Sequence, residues 1–456
     1  MSRDPTDPTE LKLVTCAPTE PEGACAADLS APADAIKQPV RPPILAALGP
    51  GLITGASDDD PSGIATYSQA GAQYAYSLGW TLLFSWPLMC AIQEISARIG
   101  RVTGRGLAGN LRKHFPRPVL YVLVSLLVVA NTINIGADLG AMAAAIGLLV
   151  PGPSFAYAAA FALTSILLEV FVRYARYASV LKWLTISLFA YFGVVALAHV
   201  PWASVARHIL LPQIRWSRDY LTVVVGILGT TISPYLFFWQ ASEEVEDVLE
   251  RSGAKPLARD PGSAAREFSR IRWDTYLGMA FSNLVALAIL ISAAATLNLH
   301  GITDIKTSAD AARALIPIAG KFAGAIFALG VVGTGLLAVP VLAGSAAYGV
   351  GEAIGVHVGL ARKAKRAPTF YGVIAASTLV GLLMTLAPID PVKALFWSAV
   401  INGVVAAPVM VMIMLISTSP AVMGRFTLPM ILKGVGWAAT AAMAVAVVGM
   451  VATSGA

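Results

Sequence analysis

The stretch GASDDDPSGIA, residues 55–65, places Asp58, Asp59 and Asp60 next to a proline inside the first long apolar segment of the chain. A carboxylate at the centre of a bilayer costs about 2.5–3.5 kcal/mol even on lenient scales, so such a residue is a functional candidate by default. A second polar interruption, Gly229-Thr230-Thr231-Ile232-Ser233-Pro234-Tyr235, lies in the sixth apolar segment and also carries a proline. Proline removes an amide donor and clashes with the preceding helical turn. Backbone left unpaired at membrane depth is tolerated only where protein buries it or a watery cavity receives it. Hydroxyls (Ser57, Ser62, Thr230, Thr231, Ser233, Tyr235), a small residue (Gly63) and carboxylates (Asp58, Asp59, Asp60) are the chemistry of a site for a small inorganic ion.

Those residues need a scaffold, and composition says which kind. Of 456 residues, 57% are hydrophobic and only 13% charged, against about 25% charged in a soluble protein. Apolar runs of about 18–25 residues, long enough to cross a bilayer as helices, recur along most of the chain. Eleven spans are expected near 44–75, 78–98, 119–150, 155–173, 179–199, 221–248, 276–298, 312–347, 369–388, 394–416 and 430–452. The chain reads as an all-α, multi-pass membrane protein with the lipid bilayer as its surroundings. Residues 1–43 read as a disordered cytoplasmic tail without a signal peptide, and 44–456 as the transmembrane domain.

Interrupted segments at corresponding positions, first and sixth, point to inverted repeats with a site at the bilayer midplane. Spans one to five (44–199) and six to ten (221–416) form the two repeats, and 430–452 is an added helix. Lys and Arg crowd the connections after spans two, six and eight and are absent from those after spans one and three. The positive-inside bias therefore puts the N-terminus in the cytoplasm and, with eleven spans, the C-terminus outside an inner (plasma) membrane.

Other features exclude alternatives. The formal net charge of +6 reflects the flanks of spans and forms no basic stripe for nucleic acid. Cys16, Cys25 and Cys90 form neither a disulfide framework nor a CxxC metal site. There is no phosphate-binding glycine loop, GxSxG or HExxH, and the five histidines do not cluster, so the chain is not read as an enzyme and no cofactor is expected. Asp138 and Glu169 are further carboxylates within spans; a hydrogen bond to Asn131 or Asn134 would satisfy the first and a pair with Arg173 the second. The acidic run 243–247 reads as a solvated helix end or, alternatively, a cation-attracting vestibule.

Three stretches carry a family resemblance. GPGLITGASDDDPSGIATYSQAGAQY (49–74) resembles the first helix of the NRAMP (natural resistance-associated macrophage protein) metal-ion transporters. QEISARIGRVTGRGLAGNLR (93–112) resembles the end of their second helix, and AARALIPIAGKFAGAIFALGVVGTGLLAVPVLAGSAA (311–347) their eighth. The resemblance implies a LeuT-like fold and secondary transport of a divalent cation. It places Asp60 at the family's metal-binding aspartate and Asp138 on its proposed proton route. It also shows losses: the family's asparagine falls at Gly63, its helix-six methionine at Ser233, its histidine at Tyr235, its carbonyl position at Thr230 and a helix-three glutamate at Ala141.

Thioether and imidazole suit softer first-row metals, whereas carboxylate, carbonyl and water suit Mg²⁺, Ca²⁺ and Mn²⁺. The altered set therefore points to a hard, largely hydrated divalent cation such as Mg²⁺ (or Mn²⁺) on Asp60, with Asp59, Ser57, Thr230, Thr231, Ser233 and Tyr235 around it. Two alternatives stand beside this reading. One is a small oxyanion such as bicarbonate at the half-helix N-termini; the other is a sensor or scaffold that binds without transporting. Asp138 and Glu169 mark a path for a coupling ion, H⁺ or Na⁺. A tyrosine with its pKa near about 10 does not relay protons as histidine does, which puts the family's usual route in doubt.

Overall fold

A computed structural model describes residues 55, 58–172, 184–250 and 254–454. Every regular element among them is helical, with no strand. The principal helices are α1 (Pro61–Tyr74), α2 (Gly79–Thr103), α3 (Leu107–His114), α4 (Arg117–Gly147), α5 (Ser154–Phe171), α6 (Phe189–Leu197) and α7 (Trp202–Leu210). They continue as α8 (Arg218–Thr231), α9 (Pro234–Glu250), α10 (Ala264–Thr296), α11 (Ala323–Ile354), α12 (Pro368–Met384), α13 (Pro391–Thr418) and α14 (Met430–Ser454). Short helical turns, among them Ser308–Ala312 and Pro420–Met423, fill the connections.

Each of the eleven expected spans that falls in the described residues is occupied by helix, but not each is a plain membrane-crossing rod. Among the described residues seven helical stretches are long and apolar enough to cross a bilayer, or eight with the bent pair Ile186–Leu197 and Trp202–Leu210. That pair turns by 115° between its two helices, where Ala198 leaves α6 with ψ 143° and Pro201 stands as the N-cap of α7. The first span is described only over its second half, α1, and α2 carries the polar Gln93, Glu94 and Arg98 in its interior. The seventh span begins earlier than its apolar run, because Arg266, Arg270 and Arg272 stand in the first turns of α10 instead of a loop.

The broken sixth span sits at the centre. In Arg218–Glu250, 94% of the most apolar stretch is buried, against 22% in Ser154–Phe171 and 28% in Met430–Thr453, which present most of their surface outward. Around it α4 packs on α11, α12 and α13, α10 lies along α1, and α9 along α2. Close helix contact is made through glycine: a Cβ on Gly229 would stand 2.0 Å from the Ala399 carbonyl, and one on Gly100 2.0 Å from that of Ala241. Such small-residue contacts are how helices associate where lipid supplies no hydrophobic drive. Pro340 and Pro408 lie inside α11 and α13, which run on through them.

Candidate functional site

Both interruptions are present, and their local causes are visible. Asp60 is extended (φ −73°, ψ 169°) and caps α1, with Pro61 at the first helical position. Aspartate at an N-cap followed by proline is a strong helix start, since the carboxylate accepts from orphan amides that proline does not need. Its Oδ1 accepts from the Gly63 amide at 2.8 Å and the Ser62 hydroxyl at 2.6 Å. In the sixth span α8 ends at Thr231, Ile232 and Ser233 leave the helix, and Pro234 opens α9.

The second carboxylate oxygen of Asp60 faces other helices. Oδ2 accepts from Asn134 Nδ2 of α4 at 3.1 Å and from the Tyr235 hydroxyl of α9 at 3.5 Å. Asn134 Oδ1 in turn accepts from Ser398 Oγ of α13 at 2.6 Å. All four residues are buried to within 2% of complete. These donors to Asp60 are neutral, so the carboxylate is buried with hydrogen bonds but without a balancing positive side chain among them.

The other expected site residues divide. Gly63 and Tyr235 reach Asp60 as described. Thr230 donates to Tyr67 Oη at 2.8 Å and lies beside the junction instead of in it. Thr231 turns back to the carbonyl of Ile227 at 3.0 Å. Ser233 does likewise, with contacts of 2.7 Å to the carbonyls of Gly229 and Thr230. These hydroxyls satisfy carbonyls that the helix end would otherwise leave unpaired, and their oxygens keep lone pairs for water.

Asp59 departs from expectation. Its Oδ1 lies 3.1 Å from Ser282 Oγ of α10, which also bonds Asp58 at 2.6 Å, so the first two aspartates turn to α10 and only the third to the junction. Ser57 lies outside the described residues.

Asp138 is fully buried one helical turn beyond Asn134, and neither carboxylate oxygen has a hydrogen-bond partner among the described residues. The bond expected from Asn131 or Asn134 is not made. Asn131 donates to the Leu342 carbonyl and Ser345 of α11, and Asn134 is committed to Asp60. Glu169 is likewise buried, beside Ser165 one turn earlier on α5; Arg173 lies outside the described residues.

The acidic run is not a solvated end. Glu244 pairs with Arg270 at 2.5 Å, Asp247 with Arg101 at 3.5 Å, and Arg101 with Glu267 at 3.0 Å. Glu246 accepts from the Tyr348 hydroxyl and from the amides of Leu360 and Ala361 at 2.7 and 3.1 Å. The partners come from α2, α10, α11 and the connection after α11, brought together by tertiary packing. Phe237, Phe238 and Trp239, which follow the break, are buried in the core.

Sequence reasoning missed Asn134 and Ser398 as neighbours of Asp60. The signal was the spacing of Asn131, Asn134 and Asp138, which puts three polar groups on one face of an apolar helix.

The oxyanion alternative finds no support here, because Asp60 itself occupies the amide end of α1 that an anion would need. Among the described residues no group of three or more His, Cys, Asp or Glu is placed to hold a metal ion.

Comparison with known proteins agrees with this architecture. A family model described as natural resistance-associated macrophage protein-like matches residues 51–453. The chain is 30% identical over 404 residues to the divalent metal cation transporter MntH of Burkholderia ambifaria, covering 87% of this chain and 86% of that one. It is 26% identical over 405 residues to MntH of Klebsiella pneumoniae, covering 87% and 91%. Among solved structures it is similar to the manganese transporter of Eremococcus coleocola (TM-score 0.69, 18% identity, 92% and 89% covered). It is also similar to inward-facing Mhp1 (TM-score 0.50, 14% identity, 92% and 96% covered).

Proposed function

The chain belongs to the natural resistance-associated macrophage protein family of divalent metal transporters, and from that premise we propose that it carries a hard, hydrated divalent cation, Mg²⁺ or Mn²⁺, on Asp60. The observation that carries this reading is the state of that carboxylate: deeply buried, with neutral donors on both oxygens. A carboxylate so placed is neutralised by a bound proton or by a cation, and a divalent ion on Oδ2 competes with the proton for it. Oδ1 is tied to the N-terminus of α1, which leaves Oδ2 as a single-point ligand. Mg²⁺ is commonly held by one or two carboxylates while keeping several waters. The groups facing Oδ2 (Asn134 and Tyr235) offer oxygen and nitrogen but no thioether, and the shell they favour is hard.

The half-helices hold the cation between the two repeats, and alternating access follows from one bundle rocking against the other around the breaks. Asp138, one turn from Asn134 and unpartnered, is the group we assign to a coupling proton; Glu169 is given no part. The Lys- and Arg-rich connections support an orientation with the N-terminus on the cytoplasmic side of an inner membrane and the C-terminus outside.

Uptake into reconstituted vesicles tests the reading. Mg²⁺ or Mn²⁺ enters with the native protein, and Asp60→Ala abolishes entry. If neither cation crosses while bicarbonate accumulates, the proposal is wrong.

A further inference from the structure

A carboxamide is missing from α1, where Gly63 stands in the position of the family's asparagine, and a different carboxamide lies against the same aspartate. We propose that Asn134 of α4 is itself a cation ligand, supplying by a half-turn of its amide the neutral oxygen that α1 has lost. This inference rests on the cation reading above.

The geometry is that of two neighbouring ligands. Asn134 Nδ2 lies 3.1 Å from Asp60 Oδ2. Two oxygens on adjacent corners of an octahedron with bonds of about 2.0–2.1 Å stand about 2.9 Å apart. Rotation of the amide by half a turn exchanges Nδ2 for Oδ1 at nearly the same position. The pair of oxygens then spans one edge of such a shell, and the remaining corners are open to water. A Ca²⁺-sized shell, with bonds of about 2.3–2.6 Å, needs an edge of about 3.3–3.7 Å, wider than this pair.

The hydrogen bonds allow both orientations. With no cation, Nδ2 donates to Asp60 while Oδ1 accepts from Ser398 at 2.6 Å. After rotation Oδ1 faces the cation and Nδ2 faces Ser398 Oγ. Ser398 then accepts that donor, because its own proton has a second destination already in place, the Leu395 carbonyl at 2.8 Å. One serine hydroxyl carries one donor and two acceptor sites, so the exchange leaves no buried group unpaired. The donor that Asp60 loses is replaced by the cation.

Titration calorimetry of the purified full-length protein with Mg²⁺ and with Mn²⁺ separates this role from mere support of Asp60. Asn134→Ala weakens binding tenfold or more. Asn134→Asp restores it to within about threefold of native, because a carboxylate oxygen serves as a ligand; a residue needed only as a donor to Asp60 would be made worse by a second carboxylate. Ser398→Ala weakens binding several-fold through the lost acceptor for Nδ2. If Asn134→Ala does not fold, native protein against Asn134→Asp decides the matter. Native affinity in Asn134→Ala, or binding by Asn134→Asp weaker than by the alanine variant, overturns the ligand role alone. Absence of cation binding by the native protein instead overturns the reading on which it rests.

Discussion

Gly229→Ala adds one methyl at the tightest helix contact beside the sixth-span break, and its consequences can be worked through from distances. The new Cβ would lie 2.0 Å from the Ala399 carbonyl oxygen, 2.5 Å from the Gly403 nitrogen and 2.9 Å from the Gly403 Cα, all backbone atoms of α13. No side chain can rotate away, so the helices must part. Ordinary contact begins near 3.4 Å, which asks α13 to retreat by about 1.4 Å in an interior packed as densely as a crystal. Overpacking of this kind costs about 1–3 kcal/mol. The same displacement carries Ser398 away from Asn134, and a 2.6 Å bond stretched that far is lost, adding about 0.5–1.5 kcal/mol. The combined loss of about 1.5–4.5 kcal/mol lowers the melting midpoint in detergent by several degrees and weakens Mn²⁺ binding along with it. Gly372→Ala is the control: a Cβ there meets nothing within 4 Å, and alanine favours the helix by up to about 1 kcal/mol. A Gly229→Ala protein that melts and binds like the native one would show that α8 and α13 do not approach as described.

Three further outcomes follow from buried charges and caps. Glu246→Gln replaces charge-assisted bonds to the Leu360 and Ala361 amides by neutral ones, at about 1 kcal/mol or more; hydrogen exchange in 355–366 should accelerate about tenfold. Arg101→Ala takes from Glu267 and Asp247 one of two guanidinium partners, Arg270 remaining at 3.1 and 3.8 Å, and costs about 1.5–3 kcal/mol. The loss should appear as reduced monodisperse protein on size exclusion. Thr307→Ala breaks the capping box with Asp310, costing about 0.5–2 kcal/mol; the melting midpoint should fall with cation affinity unchanged.

The helical class and the places of the spans were legible because burial in lipid writes itself as long apolar runs. Less legible was where those helices begin and turn. Arg266, Arg270 and Arg272 read as loop residues by charge alone, yet α10 carries them and pairs Arg270 with Glu244. The acidic run at the end of α9 read as solvated for the same reason. A charge neutralised by a residue more than twenty positions away leaves no local trace, and only the fold brings the partners together. The 115° turn before α7 had one local sign, Pro201, in a chain where Pro340 and Pro408 sit inside unbroken helices. What proline does thus depends on whether neighbours re-satisfy the freed carbonyl.

At the site, residue type predicted Asp60 and Tyr235 but not the division of labour among the three aspartates. Adjacent residues at a helix start point in different directions, so Asp58 and Asp59 reach Ser282 while Asp60 reaches α4 and α9. The carboxylate is held by one oxygen and offered by the other: Oδ1 completes the cap of α1, and Oδ2 meets donors from helices of both repeats. On the cation reading proposed above, an ion on Oδ2 would displace hydrogen bonds from α4 and α9 without uncapping α1, and so would arrive and leave without unfolding the segment that holds it.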